Sequence, residues 1–264
     1  MSPISAPPIR DILLVARFVR TRAGQSFEAT SLPGHLLHLV VDGVVEQECN
    51  GRQYLLRRGD LMWYHEDELV RGTVRGAPWT FYSVNFLAPA LTPPPFEARL
   101  FPNQLGLRPW FAELLDVWRA AALPPLVRQC RAHAALLRIL AALPPGATQP
   151  VAADPRARLW WDLETKIRRD LRQPVRLAQL AAWAGTSPAT VARACRYAVG
   201  VPPLKRVKQI RLSLARGLLQ RSALAVKEIA AETGYPRVHE FSRDYRKHFG
   251  HPPTVERRAP PKLS

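Results

Sequence analysis

The sequence predicts a two-domain α+β protein, with an N-terminal antiparallel β-barrel flanked by helices and a C-terminal all-α domain. Three observations support this fold class. A helix-turn-helix pattern occurs twice, at residues 177–197 and 226–249. Short apolar runs broken by Gly, Asp and Asn fill residues 10 to about 92, as in antiparallel sheets. Positive charge is concentrated beside the paired motifs.

The domain boundaries are placed where the composition changes. Residues 10–142 form the predicted N-terminal domain, which ends in two amphipathic helices. Residues 143–154 are rich in turn formers and predict a linker, and residues 155–256 form the predicted helical domain. The helices of the N-terminal domain are expected either to cover the barrel or to pair with another subunit. The second of them is expected to bury one stripe: Leu126, Cys130, His133, Leu137 and Leu140.

The charge distribution points to a polyanionic partner. Residues 151–264 carry 23 Lys and Arg against 9 Asp and Glu, whereas residues 1–150 carry 15 against 12. Counterion release from nucleic acid would supply affinity at such a surface. A solvated surface in an arginine-rich chain is the alternative explanation, and the two motifs favour DNA.

Cysteine usage and hydropathy exclude several classes of protein. Cys49, Cys130 and Cys195 lie far apart and form no CxxC pair, so neither a disulfide framework nor a structural zinc site is predicted. The sequence shows neither a signal-peptide pattern nor an apolar run of about eighteen residues. We therefore expect a soluble, cytoplasmic protein with no membrane partner.

Each motif carries local signals for two helices joined by a turn. In the first, Leu177, Leu180 and Ala181 form an apolar stripe, Gly185 marks the turn, and Ser187 is a good N-cap for the second helix. The second motif repeats the stripe and the turn, and its last helix has a buried face at i, i+4 and i+8 spacing. Its corresponding residues are Val226, Ile229, Ala230, Gly234, Phe241, Tyr245 and Phe249. A helix from about 203 to 219 is expected to join the motifs.

A longer pattern contains both motifs and the joining helix. It comprises Leu177 to Ala181, Gly185, Ser187, Pro188, Arg193, Arg196, Gly200, Ile210, Arg211, Ala215, Leu218, Leu219, Ile229, Ala230, Gly234, Tyr235, Phe241, Ser242, Arg243 and the run RKHFGHPP. From about residue 159 to 253 this pattern resembles the AraC/XylS-type bacterial transcriptional regulators. The resemblance implies about seven helices, with two recognition helices that enter successive major grooves of DNA.

The resemblance also implies which side chains contact DNA. Arg193 and Arg243 are the strongest base-contact candidates, because a guanidinium can bond guanine O6 and N7 together. Glu240 is expected either to accept from cytosine or to pair with Arg237 or Arg243. The full set of base-contact candidates is Ala189, Thr190, Ala192, Arg193, Arg237, Val238, His239, Glu240 and Arg243. Candidates for phosphate contact are Arg196, Lys205, Arg246 and Lys247.

Five residues depart from the family pattern. Arg176, Ala225 and Arg237 occupy positions where a helix-capping or short polar residue is usual. Cys195 replaces a buried Phe, and Arg206 replaces a common aromatic residue. These departures affect the expected rigidity of the domain more than its fold.

The N-terminal domain resembles a cupin-type barrel through Gly59-Asp60 and the following LMWYH. Such a barrel commonly binds a small effector in regulators of this type. His35 and His38 are three residues apart, so a strand directs them to opposite faces and no HxH metal site is predicted. We expect no metal, no cofactor and no catalytic residue. The candidate effector-pocket residues are His38, Trp63, His65 and Tyr82.

The predicted function is that of a sequence-specific DNA-binding transcriptional regulator, an effector-responsive activator by family default. Its expected partners are double-stranded DNA, RNA polymerase, a small-molecule effector and a second copy of the chain. The alternative is a cupin-type enzyme or a DNA-repair alkyl acceptor that carries an accessory DNA-binding domain. A third possibility is a regulator without an effector, whose barrel serves only for dimerisation.

Overall fold

A computed structural model describes residues 8–31, 33–88, 91–144, 154–221 and 224–258. Most of the predicted linker, from 145 to 153, lies outside these residues. The chain divides into two compact units after Arg158, and the units are described separately. In the described segments, no helix combines the length and hydropathy needed to cross a bilayer.

In its described residues, the N-terminal unit contains one antiparallel sheet of seven strands. They are β1 (Asp11–Arg20), β2 (Ser26–Thr30), β3 (His35–Cys49), β4 (Arg52–Arg57), β5 (Leu61–His65), β6 (Leu69–Leu87) and β7 (Leu100–Phe101). The strand order is β1-β6-β3-β5-β7, with β2 paired to β6 and β4 paired to β3. The antiparallel sheet is therefore confirmed.

The sheet is not closed into the expected barrel. Closure requires the two edge strands to pair. Among the described residues, β1 pairs with β6 and β7 pairs with β5, but β1 and β7 do not pair with each other. The short apolar runs predicted the strands, and only their long-range pairing decides whether the edges meet.

The long strands β3 and β6 bend together. Their register shifts between Val40 and Val45, next to Gly43, which has a φ of 79°. A Cβ at Gly43 would lie 2.5 Å from the carbonyl oxygens of both Gly76 and Pro78. Only glycine allows this close approach in a left-handed conformation. Beyond the bend, the same two strands pair with β2 and β4 instead of β1 and β5.

The sheet has an apolar core on each face. Leu37 and Leu39 belong to the helix-facing core, which also includes Phe111 of α1. Leu36 and Val40 belong to the inner core, which both parts of the bent sheet share. Successive side chains of a strand point to opposite faces, which explains how one apolar run supplies both cores.

Two helices, α1 (Arg108–Arg119) and α2 (Pro125–Ala141), pack on the helix-facing core. The predicted stripe of α2 is wrong except at Leu140, which is buried. Leu126 is 71% exposed and Leu137 is 39% exposed. The buried residues are Ala132, Ala135, Leu136, Ile139 and Leu140. Adjacent apolar residues such as Leu136 and Leu137 fit two alternative stripes, and contact with the sheet selects one.

The C-terminal unit is all α-helical, as predicted, with seven helices in its described residues. They are α3 (Pro155–Arg169), α4 (Leu177–Trp183), α5 (Pro188–Val199), α6 (Pro203–Arg221), α7 (Val226–Glu232), α8 (Val238–Phe249) and α9 (Pro253–Arg258). Helix α6 is the joining helix and is about 28 Å long at 1.5 Å per residue. Its two halves contribute to different cores, with Val207 and Ile210 in the first and Leu212 and Ala215 in the second.

The helix ends follow the sequence signals. The Ser187 hydroxyl accepts a hydrogen bond from the Thr190 amide at 3.1 Å, which confirms it as the N-cap of α5. Gly200 and Gly250 are left-handed C-caps of α5 and α8. Ala225, at the N-cap position of α7, has no side chain that could accept a hydrogen bond. The Glu228 carboxylate acts there instead, accepting a hydrogen bond from the Ala225 amide at 2.5 Å.

Candidate nucleic-acid interface

A buried ion pair compensates for the unusual residue Arg206. Its guanidinium donates twice to Glu164, with Nε–Oε2 at 2.9 Å and Nη2–Oε1 at 2.8 Å. Both side chains are almost fully inaccessible, and Glu164 also accepts from Trp160 Nε1 at 2.9 Å. Burial alone would raise the pKa of Glu164, but the charges of Arg206 and Arg168 lower it to about 2. Helix α3 is thereby tied to the first half of α6.

Glu256 of α9 ties the second half of α6 in a similar way. It accepts hydrogen bonds from Arg216 Nε at 3.0 Å and from Gln220 Nε2 at 2.6 Å. It also accepts from the buried hydroxyl of Tyr245 in α8 at 3.1 Å. Each end of the joining helix is therefore anchored by a partly or fully buried carboxylate.

Glu256→Ala is expected to lower the free energy of unfolding by about 2 kcal/mol, because the buried Tyr245 hydroxyl and Arg216 lose their acceptor. Thermal melting of the full-length protein measures this loss. The matched control is Glu232→Ala, since Glu232 pairs with Arg172 at the surface and should contribute less than about 1 kcal/mol. Equal shifts in melting temperature for the two variants would contradict the anchoring role of Glu256.

The first recognition helix, α5, presents its candidates to solvent. Ala189 and Arg193 are exposed, whereas Thr190 and Ala192 are half-buried. The Thr190 hydroxyl lies 2.9 Å from that of Ser187 and accepts from Arg193 Nη2 at 3.2 Å. The chain thus holds the Arg193 guanidinium against the first turn of α5, where it faces solvent.

The second recognition helix, α8, presents a denser set of polar groups. Its exposed candidates are Arg237, Val238, His239 and Arg243. Glu240 is half-buried and lies 3.9 Å from Arg237, so the structure favours an intrahelical pair for this carboxylate. Arg243, Arg246 and Lys247 border one open recess.

The four phosphate candidates have solvent-exposed side chains. Among the described residues, no carboxylate forms an ion pair with any of them, whereas Lys208 of α6 pairs with Asp244 at 2.8 Å. Unpaired cations contribute more to polyanion binding than neutralised ones do. The four are Arg196, Lys205, Arg246 and Lys247.

The sheet separates the four candidate effector residues. Trp63, His65 and Tyr82 lie on the helix-facing side, where Tyr82 contacts Phe111 with ring centroids 6.0 Å apart. His38 lies on the inner side against Tyr64, at 5.0 Å between centroids. The sequence predicted one pocket for the four residues, whereas the strand register places His38 on the face opposite the other three.

The predicted separation of His35 and His38 is confirmed. The His35 ring accepts from Trp63 Nε1 at 3.2 Å on the helix-facing side. Loss of solvation lowers the pKa of His35 to about 4 and that of His38 to about 3. Both imidazoles are therefore neutral near pH 7.

The inner core contains an aromatic row that sequence reasoning only partly recognised. Phe18, Phe81, Trp79 and Phe27 stack in this order, with successive ring centroids 5.3, 4.3 and 5.3 Å apart. Arg20 lies over the Phe27 ring at 4.7 Å. Two-residue spacing marks Trp79 and Phe81 in the sequence, but the others come from separate strands.

Comparisons with known proteins identify both units. A family model described as a helix-turn-helix domain matches residues 180–259, and one described as an AraC-like ligand binding domain matches residues 15–143. The chain belongs to the AraC family of transcriptional regulators. The match to the ligand-binding model contains β2–β7 and both helices of the N-terminal unit, and the match to the helix-turn-helix model contains α5–α9.

Relatives described as HTH-type transcriptional regulators each match just over a third of this chain. The transcriptional regulator GbdR from Pseudomonas aeruginosa is 30% identical over 95 residues, covering 36% of this chain and 26% of GbdR. GlxA from Rhizobium meliloti is 34% identical over 93 residues, covering 35% of this chain and 29% of GlxA. The chain thus spans less than a third of the length of either relative.

A solved structure shows the same fold over nearly the whole chain. An apo form of ToxT from Vibrio cholerae superposes with a TM-score of 0.61, at 11% identity, over 92% of this chain and 95% of ToxT.

The structure also accounts for Cys195, which stands where the AraC/XylS-type pattern usually has a buried Phe. Cys195 is buried beside the Val201 carbonyl at 3.1 Å, and burial raises the pKa of its thiol, so it acts as a packing residue.

Proposed function

We propose that this AraC-family regulator reads DNA with α5 and α8 in successive major grooves and changes its activity on binding a small effector. The observation that carries the proposal is the pair of recognition helices at the two ends of α6, each with an exposed arginine. Arg193 and Arg243 can each bond a guanine bidentately. A rigid α6, anchored through Glu164 and Glu256, keeps the two arginines at a constant separation.

The remaining cations position the protein on DNA without reading its sequence. We expect phosphate contacts on either side of the base-reading helices from four exposed cations: Arg196, Lys205, Arg246 and Lys247. The half-buried Ala192 offers only a methyl group, so we infer that α8 discriminates between sequences more strongly than α5. Glu240 contributes by holding Arg237 rather than by accepting from cytosine.

The N-terminal unit is the proposed effector-sensing part, and the chain is proposed to act as a cytoplasmic homodimer that contacts RNA polymerase as an activator. One solved ToxT structure is described as bound to an unsaturated fatty acid. Its fold likeness to this chain supports the proposal that this chain also binds a ligand. Regulation, rather than catalysis, is the proposed role of the whole chain.

Two arginine variants test the two-groove arrangement. Arg193→Ala and Arg243→Ala are each expected to weaken binding to the target promoter about 10- to 100-fold and to relax sequence preference at one position. The two affected positions should lie about one helical turn apart. Footprinting and binding to a library of operator variants measure both effects.

Lys247→Ala is the matched control on the same face of α8. It is expected to weaken binding to all DNA alike and to reduce the slope of log affinity against log salt by about 1. Protection of a single short stretch, or unchanged promoter binding by both arginine variants, would refute the proposed DNA contacts.

A further inference from the structure

An open recess of about 630 Å³ adjoins the end of β1 and the turn that follows it. Residues 18–25 line this recess, including Phe18 and Arg20. These two side chains share one face of β1, because Phe18 is paired with Phe81 and Arg20 with Trp79 on β6. The recess therefore adjoins the aromatic row of the inner core.

The aromatic row offers a stacking surface at this recess. Its three successive ring pairs are inclined by only 28°, 25° and 19°, so each ring is stacked on the next. Phe18 is the terminal ring and is 36% exposed. A planar ring of a ligand would extend the row in the offset-stacked geometry that aromatic pairs prefer.

The same recess carries unneutralised positive charge. Arg20 lies over Phe27 at 4.7 Å and near Trp79 at 5.9 Å, and in the described part of the chain it has no carboxylate partner. Loss of solvation lowers the pKa of Arg20. Arg22, on the turn, also lacks an acidic partner among the described residues. A partly desolvated guanidinium without a counter-ion favours binding of an anion.

One buried donor in the row also lacks an acceptor. Trp79 is 2% exposed, and its Nε1 atom has no hydrogen-bond partner in the described structure. Such a group is normally paired in a folded protein. Trp79 is enclosed within the row and is not among the residues that line the recess, so the proposed ligand contacts are those with Phe18 and Arg20.

We propose that this recess binds a small aromatic carboxylate, whose ring stacks on Phe18 and whose carboxylate accepts hydrogen bonds from Arg20. The inference rests on the proposed function, because it names the effector class of the N-terminal unit. An aliphatic carboxylate would lack a ring to stack on Phe18, and a neutral aromatic compound would leave Arg20 without a counter-ion. The stacking surface and the guanidinium together favour a ligand that carries both an aromatic ring and a carboxylate.

Calorimetric titration of the full-length protein with 2-naphthoate tests this proposal. We expect one ligand per chain, and binding at least about tenfold weaker for neutral 2-naphthamide and for aliphatic octanoate. Arg20→Gln is expected to weaken 2-naphthoate binding about tenfold or more, and Phe18→Ala about three- to tenfold. Arg17→Gln is the matched control, because Arg17 is exposed on the opposite face of the same strand and should leave affinity unchanged.

Several results would overturn the inference. They are the absence of 2-naphthoate binding to the wild type, equal affinity of Arg20→Gln and wild type, and equal affinity of octanoate and 2-naphthoate. Promoter binding by the same wild-type preparation is measured in parallel. If promoter binding persists while 2-naphthoate does not bind, the ligand class is wrong and the DNA-binding proposal stands.

Discussion

Arg206→Ala is expected to lower the free energy of unfolding of the C-terminal unit by about 3–5 kcal/mol. The substitution leaves the Glu164 carboxylate buried with only Arg168 as a charged partner, and Arg168 is 29% exposed. Removing one partner of a fully buried pair leaves an uncompensated charge, which is far more destabilising than losing a surface pair. Urea unfolding of the full-length chain, followed by tryptophan fluorescence, measures the effect.

Arg168→Ala is the matched control, because it removes the more exposed of the two arginines from the same carboxylate. Its expected loss is about 1 kcal/mol or less. Replacing both members of the buried pair, as Glu164→Leu with Arg206→Met, should recover much of the stability lost in Arg206→Ala. Equal losses for Arg206→Ala and Arg168→Ala would show that burial of the pair does not determine its energy.

The same pair predicts how stability depends on pH. The pKa of Glu164 is about 2 in the folded protein and 4.5 for the unperturbed group. The unfolded chain therefore takes up the proton first as pH falls. The stabilisation from Glu164 is complete above about pH 4.5 and is lost as pH decreases towards 2. In Glu164→Gln this part of the pH dependence should be absent.

Gly43→Ala is expected to destabilise the N-terminal unit by more than about 3 kcal/mol. A left-handed backbone alone costs an alanine about 1–2 kcal/mol. In addition, the new Cβ would lie 2.5 Å from two carbonyl oxygens and 2.7 Å from the Trp79 Cα, all of them backbone atoms that cannot move independently. Thermal unfolding monitored by near-ultraviolet circular dichroism measures the loss.

Gly24→Ala separates the cost of a left-handed backbone from the cost of the steric contact made by the new Cβ. Gly24 has a φ of 78°, nearly the same as Gly43, but a Cβ there would meet nothing within 4 Å. This control should therefore show only the conformational part, about 1–2 kcal/mol. If both substitutions caused the same loss, the close approach of β3 and β6 at the bend would not constrain the fold.

The helices of the C-terminal domain could be predicted from the sequence because the signals that begin and end them are local. An N-cap such as Ser187 acts on an amide three residues away, and a C-cap such as Gly250 requires only its own left-handed backbone. The apolar stripes of α4 and α7 repeat within a single turn. Such signals act over a few residues, so they predicted the type and order of the helices.

The candidate DNA-contact and effector residues could be predicted from the sequence only in part. The exposed positions of Arg193 and Arg243 follow from the periodicity of amphipathic helices. The role of Glu256 had no local signal, because its partners Arg216 and Gln220 lie 40 and 36 residues earlier in the chain. The effector candidates come from three strands, and alternation along each strand does not show which of their faces lie on the same side of the sheet.

Local patterns were sufficient to predict the two-part organisation, the antiparallel and helical character of the parts, and the two helix-turn-helix motifs. They did not predict that the sheet stays open among the described residues, that Trp63 and His38 lie on opposite faces of it, or that Arg206 pairs with Glu164, 42 residues away. The physical reason is the separation in sequence between the residues that interact. Backbone conformation and helix capping depend on neighbouring residues, whereas strand register and buried ion pairs depend on segments that meet only when the chain has folded.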